Sequence, residues 1–270
     1  MHRPNTLRRA LVAGAAASAA WVFTGDVDAA EVLGTAGFDA IILDRQHTPV
    51  SMSRTREQLR AVRAAGESTV LARLRAHDAA EIAVLLDMGI EGLLLPDARS
   101  SGQVREFVAA TRYPPDGIRG AHDTVSRAAH WGLSTTEYRA RYREDLLLIA
   151  MIESVEGAHA AADMAGVDGL DMVFIGPLDL SASAGAIGEW TDGRYLSALR
   201  YAEQTALDAG LLLGGALAPP GTAGDWLERG HSLLSVGSDV TMIRDSAARL
   251  LGAFSSHAAP TDERKAHSWR

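Results

Sequence analysis

Eight short apolar segments alternate along this chain with segments of helical character. Each apolar segment is short enough for a buried β-strand, and most of the stretches between them can hold a helix. The predicted strands span residues 21–25, 38–44, 68–74, 92–97, 146–152, 170–175, 211–217 and 231–239. Eight such repeats without a break in composition predict an α/β fold, a single (β/α)8 TIM barrel over residues 1–254. Residues 255–270 are polar and are predicted to form a flexible tail.

The composition excludes several kinds of chemistry. The chain has no cysteine, so disulfides, thiolate metal sites and cysteine nucleophiles cannot form. Its single lysine, Lys265, lies in the polar tail. A Schiff-base enzyme needs a lysine amine in a dry pocket, and a P-loop needs a lysine after its glycines. Chemistry on a carbonyl compound would therefore have to use a metal rather than an imine.

Charge and hydropathy limit the partners and the location. A net charge of −8 without a long basic run makes nucleic acid and anionic membranes poor partners. Residues 7–20 have a basic start and an alanine-rich run, as secretory signals do, but the run is weakly hydrophobic and leads directly into the first predicted strand. No segment approaches the ~18 uninterrupted apolar residues of a membrane span. We therefore expect a cytoplasmic protein with no membrane or nucleic-acid partner.

Two acidic residues follow consecutive predicted strands. Glu153 comes directly after the strand at 146–152, and Asp179 lies just beyond the strand at 170–175. Because neighbouring parallel strands end at the same edge of a sheet, both carboxylates should lie close together. A magnesium-like ion commonly takes one or two carboxylates and fills its other positions with water and substrate. Each acid could instead cap the helix that follows it, and the spacing alone leaves both alternatives open.

The segment GPLDLSAS, residues 176–183, adds a possible anion site beside these acids. Gly176 and Pro177 end the strand, and Leu178 is among the residues that open the next helix. Backbone N–H groups at a helix N-terminus can hold a carboxylate. A plain strand-to-helix turn is the alternative interpretation of the same residues.

Other polar residues are also predicted at the carboxyl ends of strands, where TIM barrels place their active sites. They are Asp44, His47, Arg73, Asp97 and Asp239. His47 could act as a general base whose ring is oriented by Asp44, although a lone histidine in a loop is usually inert. Arg73 lies in an apolar strand and therefore needs an anionic partner. That partner could be an internal carboxylate or the oxygens of a substrate.

Several motifs together resemble one known family. They are AGFDAIILDRQHTP, LLDMGIEGLLLPD, ATRYPPDGIRG, IESVEGA, VDGLDMVFIGPLDLSASAG and SVGSD. In the same order, these motifs are similar to those of the HpcH/HpaI aldolases, which are class II, metal-dependent pyruvate aldolases. The resemblance covers residues 7–254, and the TRYPPxGIRG and FIGPxDLSAS motifs are specific to it.

The resemblance implies a TIM barrel of the phosphoenolpyruvate/pyruvate superfamily. It also implies a homo-oligomer, a hexamer built as a trimer of dimers, with active sites near subunit interfaces. By position, Glu153 and Asp179 match the ligands of a divalent metal (Mg, Mn or Co), and His47 with Asp44 matches the acid/base dyad. Arg73 matches the arginine that binds pyruvate and its enolate. The backbone of Gly176, Pro177 and Leu178 would hold the pyruvate carboxylate.

Three positions depart from the family pattern. The dyad motif D-G-E-H is D-R-Q-H here, which is expected to place the bulky Arg45 near the mouth of the site. Met151 replaces a glutamine that usually stands two residues before the metal-binding glutamate. Asp97 follows Pro96 where the family has an apolar residue, and so adds an acid. These changes surround the pyruvate site and leave the second substrate open.

The resemblance implies cleavage of a 4-hydroxy-2-oxo acid to pyruvate and an aldehyde, or the reverse addition. Two alternatives remain within lyase chemistry: decarboxylation of oxaloacetate, and cleavage of a CoA-thioester 3-hydroxy acid. The second of these would require a basic groove that the sequence does not show. A third alternative is a barrel that binds a 2-oxo acid with little turnover, which the changes at Arg45, Met151 and Asp97 motivate.

Overall fold

Eight parallel β-strands, each paired with the next in chain order, form a closed barrel in which the last strand pairs with the first. In this computed structural model, residues 4–255 are described. The strands are β1 Ala17–Val22, β2 Ala40–Asp44, β3 Thr69–Arg73, β4 Gly92–Leu95, β5 Leu147–Ile152, β6 Met172–Ile175, β7 Leu212–Ala216 and β8 Leu233–Ser238. The predicted (β/α)8 TIM barrel is therefore confirmed.

The helices surround this barrel. They are α1 Thr6–Val12, α2 Val27–Thr35, α3 Met52–Ala65, α4 Ala79–Met88, α5 Ser101–Thr111, α6 Thr135–Arg141, α7 Val155–His159, α8 Ala161–Ala165, α9 Pro177–Ser183, α10 Gly193–Asp208, α11 Ala223–Glu228 and α12 Asp239–Ser255. The tail predicted at residues 255–270 lies outside the described residues apart from Ser255, which ends α12. None of the helices within residues 4–255 is long and apolar enough to cross a membrane.

Alternation along each strand divides the core into two parts. Successive side chains of a strand point to opposite faces, so every second residue enters the barrel. In β5, Leu147, Ile149 and Met151 pack in the barrel interior. The residues between them pack in the layer that lies under the surrounding helices. Continuing this alternation past the end of β5 directs Glu153 towards the interior at the carboxyl end.

The first strand begins earlier than predicted. The prediction placed it at 21–25, whereas β1 spans Ala17–Val22. The stretch before Trp21 is made of alanine and serine, which have low hydrophobicity and do not stand out as a strand in the sequence. Their small side chains nevertheless pack well here, since Ala17 and Ala19 lie in the barrel interior.

Helix α1 closes the amino-terminal end of the barrel. Leu7 and Leu11 are buried and belong to the same hydrophobic cluster as the barrel interior. Asn5 caps the helix by accepting a hydrogen bond from the Arg8 N–H at 2.9 Å. Its side chain also donates to the carbonyl of Glu91 at 2.8 Å, which ties α1 to the start of β4. These contacts place the predicted signal-like segment within the barrel structure.

Candidate active site

Asp44 and Arg73 form a buried ion pair at the carboxyl end of the barrel. They are the last residues of β2 and β3 and are direct partners in the parallel ladder. The Arg73 Nε atom donates to Asp44 Oδ1 at 2.6 Å. Both side chains are at most 7% exposed, so the pair is protected from solvent. Of the two partners predicted for Arg73, the structure shows the internal carboxylate.

The second oxygen of Asp44 orders the turn that follows β2. Asp44 Oδ2 accepts the backbone N–H of His47 at 2.8 Å and the hydroxyl of Thr48 at 3.2 Å. Within residues 4–255 no hydrogen bond joins Asp44 to the His47 ring, which is exposed. Asp44 therefore positions the main chain of His47. The predicted contact between Asp44 and the His47 imidazole is not formed.

Arg73 also lies against aromatic rings and near a second carboxylate. Its guanidinium carbon is 4.7 Å from the centre of the Trp21 ring, a cation–π distance. Its Nη1 atom is 3.8 Å from Glu153 Oε1. Within residues 4–255 the Arg73 side chain hydrogen-bonds through Nε to Asp44. Its terminal N–H groups make no hydrogen bond there and can bind an additional anion.

Glu153 is a buried carboxylate held from two sides. Its Oε2 atom accepts the backbone N–H of Asp97 at 2.8 Å. On the other side, a Cβ atom at Gly176 would lie 2.6 Å from Glu153 Cγ and 2.9 Å from Oε1, so only glycine fits there. Burial raises the pKa of Glu153 to about 6, against the opposing effects of the Asp97 hydrogen bond and the Arg73 charge.

Asp179 lies in the first turn of α9 and is exposed. Its negative charge contributes to the raised pKa of Glu153, as two acids at one site would. The alternative that these acids cap helices is wrong. Ser154 is the residue that caps α7, and the N-cap position of α9 is occupied by Gly176. Within residues 4–255 no group of three or more metal-binding side chains is present, so the site offers a carboxylate pair.

The predicted carboxylate-binding backbone is only partly available. The Gly176 N–H already donates to the carbonyl of Ile152 at 3.0 Å, and Pro177 has no N–H. Leu178 is therefore the one residue of the three whose N–H can still bind an anion, because the first N–H groups of a helix have no partner within it.

The prediction that Arg45 lies near the mouth of the site is wrong. It is buried on the outer side of the barrel, where its Nε atom is 2.7 Å from Glu81 Oε1 and its Nη1 atom donates to Thr55. The reason is the alternation of strand residues. Asp44 faces the interior, so the residue after it faces the helices.

The other two departures do lie at the site. Met151 is 2% exposed and packs in the barrel interior, where it contributes no hydrogen-bonding group to the floor of the site other than its weakly accepting sulfur. Asp97 pairs with Arg99, whose Nη2 atom is 2.7 Å from Asp97 Oδ2. The added acid therefore comes with a cation. Arg99 is not among the predicted site residues, although its position two residues after Asp97 in the sequence could have indicated the pairing.

Asp239, predicted among the polar strand-end residues, holds a loop. Its Oδ1 atom accepts the backbone N–H of Phe23 at 2.9 Å, and Oδ2 accepts that of Thr24 at 3.0 Å. Because Asp239 begins α12 and Phe23 follows β1, these bonds join the loop after β1 to the start of α12. Asp239 is 3% exposed, and its carboxylate is used by this loop.

The chain is similar to known proteins over most of its length. Residues 18–246 match the sequence model of the family described as HpcH/HpaI aldolase/citrate lyase. A hydroxypyruvate/pyruvate aldolase of Paraburkholderia phytofirmans is 38% identical over 254 residues, with 94% of each chain covered. A 4-hydroxy-2-oxo-heptane-1,7-dioate aldolase of Shigella sonnei is 33% identical, covering 94% of this chain and 96% of that one.

A solved structure agrees with the fold throughout its length. The crystal structure of an HpcH/HpaI aldolase/citrate lyase family protein from Burkholderia cenocepacia superimposes with a TM-score of 0.88 at 28% sequence identity. The match covers 93% of this chain and 99% of that one.

Proposed function

The chain belongs to the HpcH/HpaI aldolase/citrate lyase family, and from that premise we propose that it is a divalent-metal-dependent aldolase. It cleaves a 4-hydroxy-2-oxo acid to pyruvate and an aldehyde, and it catalyses the reverse addition. The observation that carries the proposal is the meeting of Glu153, Arg73 and Asp44 at the carboxyl end of the barrel, with Asp179 beside them. The names of the curated relatives agree with this chemistry.

The carboxylate pair fits a hard divalent cation. Glu153 and Asp179 supply only oxygen ligands, which Mg²⁺ and Mn²⁺ prefer, and Co²⁺ also accepts such ligands. Burial has already raised the pKa of Glu153, and the Asp179 charge raises it further, so a nearby cation would relieve the repulsion between them. When bound, the ion would supply Lewis acidity at the 2-oxo and carboxylate oxygens of the substrate.

Arg73 binds the oxygen on which negative charge develops. Its guanidinium is fixed by Asp44 on one side and by the Trp21 ring on another, so its direction is set before substrate arrives. A preorganised cation in a water-poor site stabilises a developing enolate more than a mobile one would. Replacement of Arg73 should therefore lower kcat more than it raises KM.

His47 accepts the proton of the substrate's C4 hydroxyl, directly or through a water molecule. It lies in the turn after β2, whose backbone Asp44 holds at the rim of the site. Loss of that proton allows the C3–C4 bond to break, and the electrons pass to the pyruvate fragment. The remaining N–H of Leu178 contributes to binding the carboxylate of that fragment.

A coupled assay of pyruvate release tests the proposal. The substrates are the 4-hydroxy-2-oxo acids formed from pyruvate or hydroxypyruvate with a panel of aldehydes, with Mg²⁺, Mn²⁺ or Co²⁺ added in turn. Asp179→Ala should abolish activity, whereas Asp163→Ala, which removes an exposed acid of α8 far from the site, should not change it. Turnover that resists chelators, or full activity in Asp179→Ala, would overturn the metal role.

Exchange of pyruvate methyl protons in deuterated water separates the enzyme from a binding protein. An aldolase that forms the enolate exchanges these protons, and the exchange should stop in Arg73→Met. Metal-dependent pyruvate binding without exchange would instead support a barrel with little turnover. Release of carbon dioxide from oxaloacetate, without cleavage of the 4-hydroxy-2-oxo acids, would support the decarboxylase.

A homohexamer, a trimer of dimers, is also proposed. The helix α12 exposes a row of large apolar residues, and Asp239 at its start is its buried residue. Its exposed apolar residues include Ile243, Leu251 and Phe254, at 63%, 66% and 71% exposure. Contiguous apolar surface of this kind marks contact with another chain. Sedimentation that shows a monomer at micromolar concentration would contradict it. The cytoplasmic location stays a prediction, which cell fractionation tests.

A further inference from the structure

A cavity lies at the opposite end of the barrel from Glu153. The connection at residues 112–134, between α5 and α6, folds over the amino-terminal ends of β4 and β5. Between this connection and the barrel is a cavity of about 320 Å³. That volume is at the lower end of the roughly 300–1,000 Å³ of ligand pockets and is sufficient for a small metabolite. The aldolase chemistry has no use for it.

Arg119 is a buried cation with unused hydrogen-bond donors in the wall of this cavity. Its side chain is fully buried, and its guanidinium lies 4.7 Å from the ring centre of Tyr113. One nitrogen, Nη2, donates to Asp87 Oδ1 at 2.8 Å. Its Nε and Nη1 atoms are buried and make no hydrogen bond of good geometry within residues 4–255, and the Tyr138 hydroxyl is a further polar neighbour of the guanidinium. Buried donors without partners are rare in folded proteins because their desolvation is costly.

Arg127 adds a second cation to the same cavity. It donates from Nη1 to the carbonyl of Met88 at 2.9 Å and makes no ion pair with a carboxylate of the described chain. Burial and the nearby Arg60 lower its pKa, while Glu91 acts in the opposite direction. An anion in the cavity would stabilise the charge of this partly buried arginine.

The acidic groups that face the cavity already have cationic partners. Glu91 is 2.7 Å from Arg63, which also lines the cavity. Asp145 is 3.2 Å from Arg9 and 3.3 Å from Arg141. Asp87, beside the cavity, is paired with Arg119 itself. Of the three arginines that line the cavity, Arg63 and Arg119 are therefore paired with acids, and Arg127 has no salt bridge within residues 4–255.

The rim of the cavity contains backbone that non-glycine residues rarely adopt. His130 and Trp131 line the cavity and have φ angles of 50° and 58°, in the left-handed region. Such conformations concentrate at binding sites, where the surrounding structure maintains them. Trp131 is 62% exposed, so its indole lies between the cavity and solvent and can report on an occupant.

From these observations we propose that the cavity binds a small oxyanion, held by the free N–H groups of Arg119 and Arg127. The shared chemistry is a compact group of negatively charged oxygens, which a phosphate or a small polycarboxylate supplies. The site is separate from the catalytic end and would be occupied independently of pyruvate.

Isothermal titration calorimetry of the full-length protein as purified tests this proposal, with inorganic phosphate in one arm and citrate in the other. Sodium chloride at matched ionic strength is the control for nonspecific screening. We expect saturable binding of at least one oxyanion. Arg127→Gln should weaken it by about tenfold or more, as expected for a lost charged hydrogen bond. Arg200→Gln, which alters an exposed arginine of α10, should leave it unchanged.

Two further variants locate the bound anion. Arg73→Met removes the cation at the catalytic end, and binding should survive it and survive saturating pyruvate. Anion binding should change the fluorescence of the protein, and Trp131→Phe should remove that change while calorimetry still detects binding. Arg119 packs against three tyrosine rings, so its replacement would also alter their packing, and Arg127→Gln therefore decides the result. No binding, equal affinity in Arg127→Gln, or loss of binding in Arg73→Met would each overturn the proposal.

Discussion

The backbone N–H of Asp97 donates a 2.8 Å hydrogen bond to Glu153 Oε2, and Asp97 does so with a φ angle of 44°. A non-glycine residue in the left-handed region carries strain, which the surrounding structure must offset. Here the strained residue follows β4, and its N–H fixes a carboxylate that follows β5. The direction of the proposed metal ligand therefore depends on the backbone of the neighbouring strand's loop.

Asp97→Asn and Asp97→Val separate the effect of this backbone from that of the side chain. Asparagine tolerates the left-handed region, so Asp97→Asn should keep the Glu153 hydrogen bond and the metal affinity. Valine tolerates it poorly, and Asp97→Val should destabilise the protein by about 1–2 kcal/mol and weaken Mn²⁺ binding. Urea unfolding and Mn²⁺ titration measure both effects. Equal Mn²⁺ affinity in the two variants would show that the N–H does not orient Glu153.

Gly176→Ala tests the close approach of the β6 turn to Glu153. The added Cβ would lie 2.6 Å from Glu153 Cγ, so the carboxylate must move. We expect metal affinity to fall by at least about tenfold, the loss found when the support of a metal ligand is removed. Gly193→Ala is the control, since nothing lies within 4 Å of the Cβ added there. If both variants bind Mn²⁺ equally, the contact has no role in shaping the site.

Arg45→Ala should reduce stability without changing the chemistry. It leaves Glu81 as a buried carboxylate without its guanidinium partner, which typically costs about 3–5 kcal/mol. The exposed pair of Arg54 and Glu57 provides the comparison, because Arg54→Ala should cost less than about 1 kcal/mol. Chemical denaturation gives both values. A change in kcat/KM of folded Arg45→Ala protein would place Arg45 at the site after all.

The raised pKa of Glu153 predicts a pH-dependent stability of the metal-free protein. The folded state holds this pKa at about 6, above the ordinary value of 4.5, so ionisation of Glu153 opposes folding. Relative to its ionised form, protonated Glu153 therefore stabilises the folded state. This stabilisation is fully present below pH 4.5 and is lost as the pH rises through 6. It amounts to about 2 kcal/mol at most, from 1.36 kcal/mol for each unit of pKa.

Glu153→Gln removes the ionisable group and should therefore abolish this pH dependence. The metal-free variant should be more stable than the wild type at pH 7, and the difference should shrink towards pH 5. Thermal unfolding across this range measures it. A difference that does not change with pH would show that burial of the Glu153 charge is not the cause.

Much of the site followed from strand alternation. Glu153 continues the inward-facing residues of β5, and the parallel ladder brings Asp44 beside Arg73. The same alternation directs Arg45 outwards to Glu81, whereas the motif resemblance predicts it near the mouth of the site. A motif gives the position of a residue in the chain and not the direction of its side chain.

Other features could not be predicted because they depend on contacts between distant parts of the chain. Asn5 caps α1 and also donates to the carbonyl of Glu91, 86 residues away. The hydrogen bond from the Asp97 backbone to Glu153 likewise joins two separate loops. The direction of the His47 ring depends on a turn whose geometry is set by Asp44, and local sequence does not specify it.

The pairing of Asp44 with Arg73 has a consequence for the durability of the site. The two residues are partners in the same ladder, so the backbone holds the guanidinium beside its carboxylate as long as β2 and β3 stay paired. Partial opening of the surrounding loops would expose the rim while leaving this charge pair in place. The capacity to recognise an oxyanion at the carboxyl end of the barrel should therefore persist in any partly opened state that keeps the sheet, and should be lost only when the whole protein unfolds.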